Sequence, residues 1–289
     1  IDLVTGLAVL VLAPEVYLPL RQVGAHFHAS TDGVAAATQV FAVLDTPVPA
    51  PGTVPAPDLR TTTVRLRGVG VRAPGREVHA PAGLELDVAP GRVVALTGPS
   101  GAGKTTAVAV LLGLLRPDAG SVTLVDAGRG EVDLADVDLD SFWRQVAWLP
   151  QRPVLEPGTL ADVVTGAADT VSDSARDAAA TLTGLDLVVA SLADGWSTPL
   201  GRGGVGLSVG QRQRVALTRA VLSAAPLVVL DEPTAHLDAA GERVVLDTVR
   251  ALRDAGRTVL LVAHRASLVA LADDDVEVHP EPVTAAVRS

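Results

Sequence analysis

The sequence predicts an α/β fold built around a parallel sheet, with a helical segment ahead of it, and three observations predict it. A glycine-rich loop, Gly98-Pro99-Ser100-Gly101-Ala102-Gly103-Lys104-Thr105, lies between a strand-like run at 93–96 and a helix-like run at 107–115. Downstream, Pro226-Leu227-Val228-Val229-Leu230-Asp231-Glu232 reads as a buried strand ending in two carboxylates, as a parallel strand does where its C-terminal end meets a ligand. Residues 3–20 carry one charge, Glu15, and read as a helix.

The loop has the form G-x-x-x-x-G-K-[ST], which binds the phosphates of a nucleoside triphosphate. Its glycines let successive N–H groups turn toward one phosphate, Lys104 reaches the β and γ oxygens, and the Thr105 hydroxyl holds Mg²⁺. The helix that follows, with Thr106 in its first turn, adds a partial positive charge at its start. In a chain with 27 glycines a chance match is the competing reading, and the strand before and helix after count against it. Asp231 is then expected to bind Mg²⁺ through water, and Glu232 to orient the water that attacks the γ-phosphate.

Between these motifs lies Leu207-Ser208-Val209-Gly210-Gln211-Arg212-Gln213-Arg214. With it the chain resembles the ATP-binding cassette family, whose signature is Leu-Ser-Gly-Gly-Gln at the opening of a helix. The remaining family elements match Gln151 in Trp148-Leu149-Pro150-Gln151, Leu237-Asp238 in Thr234-Ala235-His236-Leu237-Asp238, and His264 in Leu260-Leu261-Val262-Ala263-His264-Arg265. Singly, Gln151 reads as a loop amide, Asp238 as a helix cap and His264 as a strand-end histidine; six elements in the family's order outweigh those readings. The resemblance implies an α/β P-loop NTPase, an ABC-type nucleotide-binding domain with a helical subdomain, preceded by the end of an all-α transmembrane domain. It also implies that ATP and Mg²⁺ are the cofactors and that two cassettes sandwich two ATP molecules. Lys104, Gln151, Glu232 and His264 then carry catalysis, and Thr105, Gln151 and Asp231 hold the metal. The phosphate loop, Ser208, Gly210, Gln211 and Asp238 bind nucleotide.

Composition agrees with this reading. The chain has 289 residues, 48% of them hydrophobic, enough for one large or two modest domains. A net charge of -10 and the lack of any long basic run argue against nucleic acid as a partner. Zero cysteines exclude disulfides and thiol chemistry, and six scattered histidines give no metal cluster beyond bound Mg²⁺.

The absence of methionine and a start inside an apolar run lead us to expect the C-terminal part of a longer protein. Residues 3–20 would span about 27 Å as a helix, close to a membrane's thickness. A buried core helix is the alternative, while a signal peptide would need a basic start that is lacking. Residues 21–44 read as an amphipathic helix, and the proline-rich tract at 47–57 as an extended linker. The expected organisation is 1–45 for the end of the transmembrane domain, 46–60 for the linker and 61–289 for the nucleotide-binding domain. Within the last, 159–225 is expected to be helical.

Leu12-Ala13-Pro14-Glu15-Val16-Tyr17-Leu18-Pro19-Leu20-Arg21, followed by His28-Ala29, resembles the last membrane helix of CydD-type subunits of thiol-reductant exporters. This implies a CydC-like heterodimer partner, a place in the bacterial inner membrane with the cassette on the cytoplasmic side, and export of cysteine or glutathione in support of cytochrome bd assembly. An exporter of lipid, peptide or drug is the alternative, and a soluble ABC ATPase a more distant one.

Two departures bear on mechanism. Val209 replaces the first signature glycine, and a β-branched residue is costly wherever φ is positive or a phosphate must approach closely, so the site that uses this signature is expected to be weakened. Ala73 stands where the family carries an adenine-stacking aromatic, and no Phe, Tyr or Trp occurs between Phe41 and Phe142. Stacking a base on an aromatic ring is worth about 1–3 kcal/mol. Triphosphate and Mg²⁺ therefore dominate binding, and His79 is the nearby imidazole that competes for the stacking role. Equilibrium binding should show little discrimination between ATP and GTP, with Ala73→Tyr restoring it; strong ATP preference in the wild type, unchanged by the tyrosine, would mean that another group supports the adenine.

Overall fold

The computed structural model describes residues 2–45, 50–72, 75, 78–126, 128, 130–166, 171–235 and 237–282, with backbone alone for 19–22 and 24–29. Ala73 and His236 lie outside the described residues, as do 46–49 of the linker. The chain divides into two compact units, Ile1–Ala50 and Pro51–Ser289.

The first unit is one helix, Leu3–Leu44, opened by Asp2, whose carboxylate accepts from the Thr5 N–H at 2.9 Å. The expected membrane helix and the amphipathic helix after it are thus a single element. Among the described residues no helix is long and apolar enough to cross a membrane.

The second unit begins ahead of the expected residue 61. Val54–Pro55 pairs in parallel with Val137–Asp138, the Ala56 N–H donates to Ser141 Oγ at 2.8 Å, and Leu59 is buried. From Pro51 on, the proline-rich tract forms the edge of the cassette, where a proline without an N–H is tolerated.

Two sheets carry the rest. A four-stranded antiparallel sheet runs in the order Leu84–Val88, Thr62–Gly70, Ala119–Asp126 and Gly130–Asp133. A five-stranded parallel sheet runs Val146–Leu149, Leu227–Asp231, Thr258–Val262, Val93–Thr97 and Asp274–Glu277. Its central strands are near-continuous apolar runs because both faces are covered. Val94, Leu96, Val229, Leu260 and Val262 face one core with Phe142, while Val93, Val228, Leu230 and Leu261 face another with Leu217 and Val245. The period-two alternation of strand side chains divides them.

The expected helical stretch contains Leu160–Thr165, Asp173–Thr183, Leu185–Ser191 and Val209–Leu222, gathered on a third core that includes Leu160, Ala180, Leu185 and Val215. Thr183 and Thr218 share a 2.6 Å hydroxyl contact inside it. In the parallel sheet Asp231 is paired with Val262, Val262 with Leu96, and Leu230 with Leu149. The register therefore brings Gly98, Asp231, Glu232, His264 and Gln151 to the same end of the sheet, where such folds bind ligands.

Candidate functional site

The phosphate loop leaves the strand Val93–Thr97 and runs into the helix Lys104–Leu111. Gly98 has φ 127° and Gly103 φ 100°, in the region that favours glycine. A Cβ on Gly98 would lie 2.4 Å from the Val278 carbonyl oxygen, and one on Gly103 would lie 2.2 Å from the Ala80 carbonyl carbon. The loop is thus walled by two backbones that sequence reasoning did not identify, and backbone walls leave no residue-type signal by which to find them.

Gly103 caps the helix without a side-chain hydrogen bond, which leaves the first N–H groups without a side-chain acceptor. Those donors and the helix dipole suit a phosphate. Ser100, Gly101 and Thr105 are exposed, Thr106 is half-buried, and Pro99 accepts from the Ala102 N–H at 3.2 Å. Lys104 is 5% exposed, and its Nζ donates to the carbonyls of Gly98 at 2.9 Å and Pro99 at 2.8 Å. Burial lowers the Lys104 pKa, with Glu232 and Asp231 opposing the shift.

Asp231 ends its strand fully buried. Its Oδ1 accepts from the Thr105 hydroxyl at 3.3 Å, whereas Oδ2 is buried without a hydrogen-bond partner. Burial raises its pKa, more than the Thr105 hydroxyl lowers it. An unsatisfied carboxylate oxygen beside a threonine hydroxyl fits Mg²⁺, a hard cation that takes oxygen ligands. Among the described residues no group of three or more His, Asp or Glu could hold a metal, so Mg²⁺ bound by Thr105 and Asp231 would complete its shell mainly with phosphate and water oxygens.

Glu232 is the one non-glycine with positive φ among the described residues, at 49°. Such strain persists only where the surroundings impose it. One carboxylate oxygen accepts from Gln151 Nε2 at 2.6 Å, and the other meets His264 Nε2 at 2.9 Å. Gln151 follows one neighbouring strand and His264 the other, so the sheet order brings the three side chains together.

The other predicted residues form a separate place. Ser208, Gly210, Gln211, Leu237 and Asp238 line one concavity, and no described hydrogen bond joins Ser208, Gly210, Gln211 or Asp238 to the phosphate loop. Ser208 caps its helix in a capping box, accepting from the Gln211 N–H at 3.2 Å while its own N–H donates to Gln211 Oε1 at 2.8 Å. Asp238 caps the helix Ala239–Asp254 through the Gly241 N–H at 2.8 Å. Val209 is the first helical residue and is not at positive φ, so the expected backbone cost of a β-branched side chain there does not arise.

The raised Asp231 pKa has a stability consequence. The native state binds the proton more tightly than the unfolded chain, so stability falls as pH rises from the unfolded value through the raised native one, and the deprotonated Asp231 is a net cost. Asp231→Asn should raise the melting temperature without nucleotide, by an amount equivalent to about 1–3 kcal/mol, and should remove the Mg²⁺-dependent part of stabilisation by ATP. Retention of that Mg²⁺-dependent part would rule Asp231 out as a metal-site residue.

Comparison with known proteins agrees with this geometry. The family described as ABC transporter matches residues 82–235. An ATP-dependent lipid A-core flippase of Thiobacillus denitrificans is 36% identical over 88% of this chain and 43% of its own length. The glutathione/L-cysteine transport system ATP-binding/permease protein CydD of Escherichia coli is 33% identical over 96% of this chain and 46% of its own. A solved bacterial Atm1-family ABC exporter with ATP bound superposes with a TM-score of 0.72 at 28% identity, over 93% of this chain and 48% of that one. The chain spans under half the length of these relatives. A matching family domain over residues 82–235, in a fold that gathers the phosphate loop and both strand-end carboxylates at one end of the sheet, means that the chain belongs to the ABC transporter family and binds ATP with Mg²⁺.

Proposed function

We propose that this chain is the ATP-hydrolysing cassette of a bacterial exporter subunit that works against a second cassette. The observation that carries the reading is Glu232, held by Gln151 and His264 next to the Thr105–Asp231 pair. A carboxylate held at both oxygens keeps a fixed orientation with acceptor sites left to orient a water, and in this reading His264 hydrogen-bonds a γ-phosphate held by Lys104. Ser208, Gly210 and Gln211 stand apart from that site in their own concavity, which suits a signature that closes on the ATP of the partner cassette. In this reading the cassette lies on the cytoplasmic side of the inner membrane, and the transmembrane path is built mainly from chain outside these 289 residues.

For the cargo, we propose small thiol reductants, cysteine or glutathione, in support of cytochrome bd assembly, with a CydC-like partner. The residues at 12–21 and 28–29 and the 96% coverage by the Escherichia coli CydD protein support this. Lipid is the second reading, favoured by the 36% identity to a lipid A-core flippase.

Both levels are testable in inside-out vesicles bearing the full-length chain and its partner. Glu232→Gln should keep MgATP binding and lower turnover on the order of 10²-fold or more. Turnover that is unchanged, with the partner's own site disabled, would remove Glu232 from the catalytic role. The wild type should accumulate labelled glutathione or cysteine when ATP is added; lipid translocation without thiol uptake would replace the thiol reading with the lipid one.

A further inference from the structure

Arg265 follows His264 in the chain and has no part in the site as described so far. Its guanidinium reaches the loop that leads from Glu232 to the helix Ala239–Asp254. Nη2 donates to the Leu237 carbonyl at 3.0 Å, and Nη1 donates to Glu242 Oε2. The other oxygen of Glu242 accepts from the Ser267 hydroxyl. One carboxylate thus holds two side chains of the segment that carries His264, and the Ser267 hydroxyl and Arg265 guanidinium keep its pKa below the ordinary glutamate value.

Glu242 is itself well anchored. Its N–H donates to the Asp238 carbonyl at 2.9 Å in the first turn of the helix, and Asp238 caps the same turn. Gly241 lets the loop fold against that turn, because a Cβ there would lie 3.0 Å from Leu237 Cβ and 3.3 Å from Asp238 Oδ1. The helix start is therefore a fixed post. His264, in contrast, sits beyond the end of its strand at Val262 with a side chain 44% exposed, yet it keeps Nε2 2.9 Å from Glu232. A fork of N–H donors can grip a carbonyl and a carboxylate together, which a single ammonium cannot do with the same geometry.

We propose that Arg265, gripping Glu242 and the Leu237 carbonyl, is a positioning residue that fixes His264 against Glu232 and ties the loop bearing Asp238 to the same point. This rests on the catalytic reading of Glu232 proposed above. It gives the cassette a direct link between the site that meets its own ATP and the loop that borders the signature concavity.

The test compares R265A, R265K, E242A, E242Q and the R265A/E242A double variant with E232Q, each in the full-length chain assembled with its partner subunit. MgATP binding and melting temperature are measured beside turnover. R265A and E242A should lower kcat by about ten- to a hundred-fold, with the KM for ATP within two-fold of wild type. R265K should not rescue R265A, E242Q should lose less than E242A, and the double variant should be no slower than the worse single one, because both remove one contact. Losses that multiply in the double variant, full rescue by lysine, or a raised KM at unchanged kcat would overturn the proposal. If R265A and E242A do not fold, the milder E242Q decides it: wild-type kcat in E242Q overturns the clamp. E232Q separates the two levels. An inactive E232Q with R265A at wild-type kcat removes the clamp alone, whereas an E232Q that hydrolyses normally removes the reading of Glu232 and the clamp with it.

Discussion

The pairing order of the parallel sheet is the constraint on which the phosphate end of this cassette depends. The strand ending in Asp231 lies between the strand followed by Gln151 and the strand followed by His264. Backbone hydrogen bonds along those two edges set how far apart the three side chains start, before any contact among them is made. The left-handed turn at Glu232 then swings its carboxylate between its neighbours. A shift of either strand by one residue would exchange inward and outward side chains along its length, so the hydrophobic cores on both faces guard the geometry of the polar site.

The helix starts divide the labour in the same way. Those at Val209 and Ala239 are closed by Ser208 and Asp238, which bond to their own backbone N–H groups. The helix at Lys104 starts on a glycine and keeps its first donors free of side chains. Two helices thus have the stability of a capped end, and the third has an anion-binding end. A serine or aspartate at 103 would cap that helix only by meeting the Ala80–Pro81 backbone, where even a Cβ has no room.

Much of this was legible in the sequence because the relevant residue types are the geometry. Glycines at 98 and 103 allow positive φ, an apolar run ending in Asp231 and Glu232 announces a parallel strand meeting a ligand, and the match to the family signature at 207–211 implies a helix start. What escaped reading was set by partners distant in sequence. The backbones at Val278 and Ala80 wall the loop with no side chain to betray them. The tract from Pro51 looked like a linker because its prolines exclude a helix, but its pairing with Val137–Asp138 depends on a strand more than 80 residues away. The helix Leu3–Leu44 looked like two elements because the sequence changes character at Arg21, whereas backbone hydrogen bonding does not require one side-chain pattern throughout. Val209 looked costly in part because a glycine often marks positive φ, and its helical backbone shows that the position does not need a glycine for that reason.

The helix Val209–Leu222 belongs to two hydrophobic cores at once. Val215 packs with Leu160, Leu185 and Leu200, while Leu217 and Ala220 pack with Val228, Leu230 and Leu261 beneath the parallel sheet. Close-packed interiors transmit small volume changes rather than absorbing them. The helix therefore works as a beam resting on two supports, with Ser208 and Gly210 at its free tip. A methylene gained or lost on either support tilts the beam, so substitutions far from any nucleotide, in cores that read as ordinary packing, set the aim of the signature. If the cassette closes on a second one as proposed, changes among the small apolar residues of the helical subdomain would retune how the two meet, with the phosphate loop left as it is.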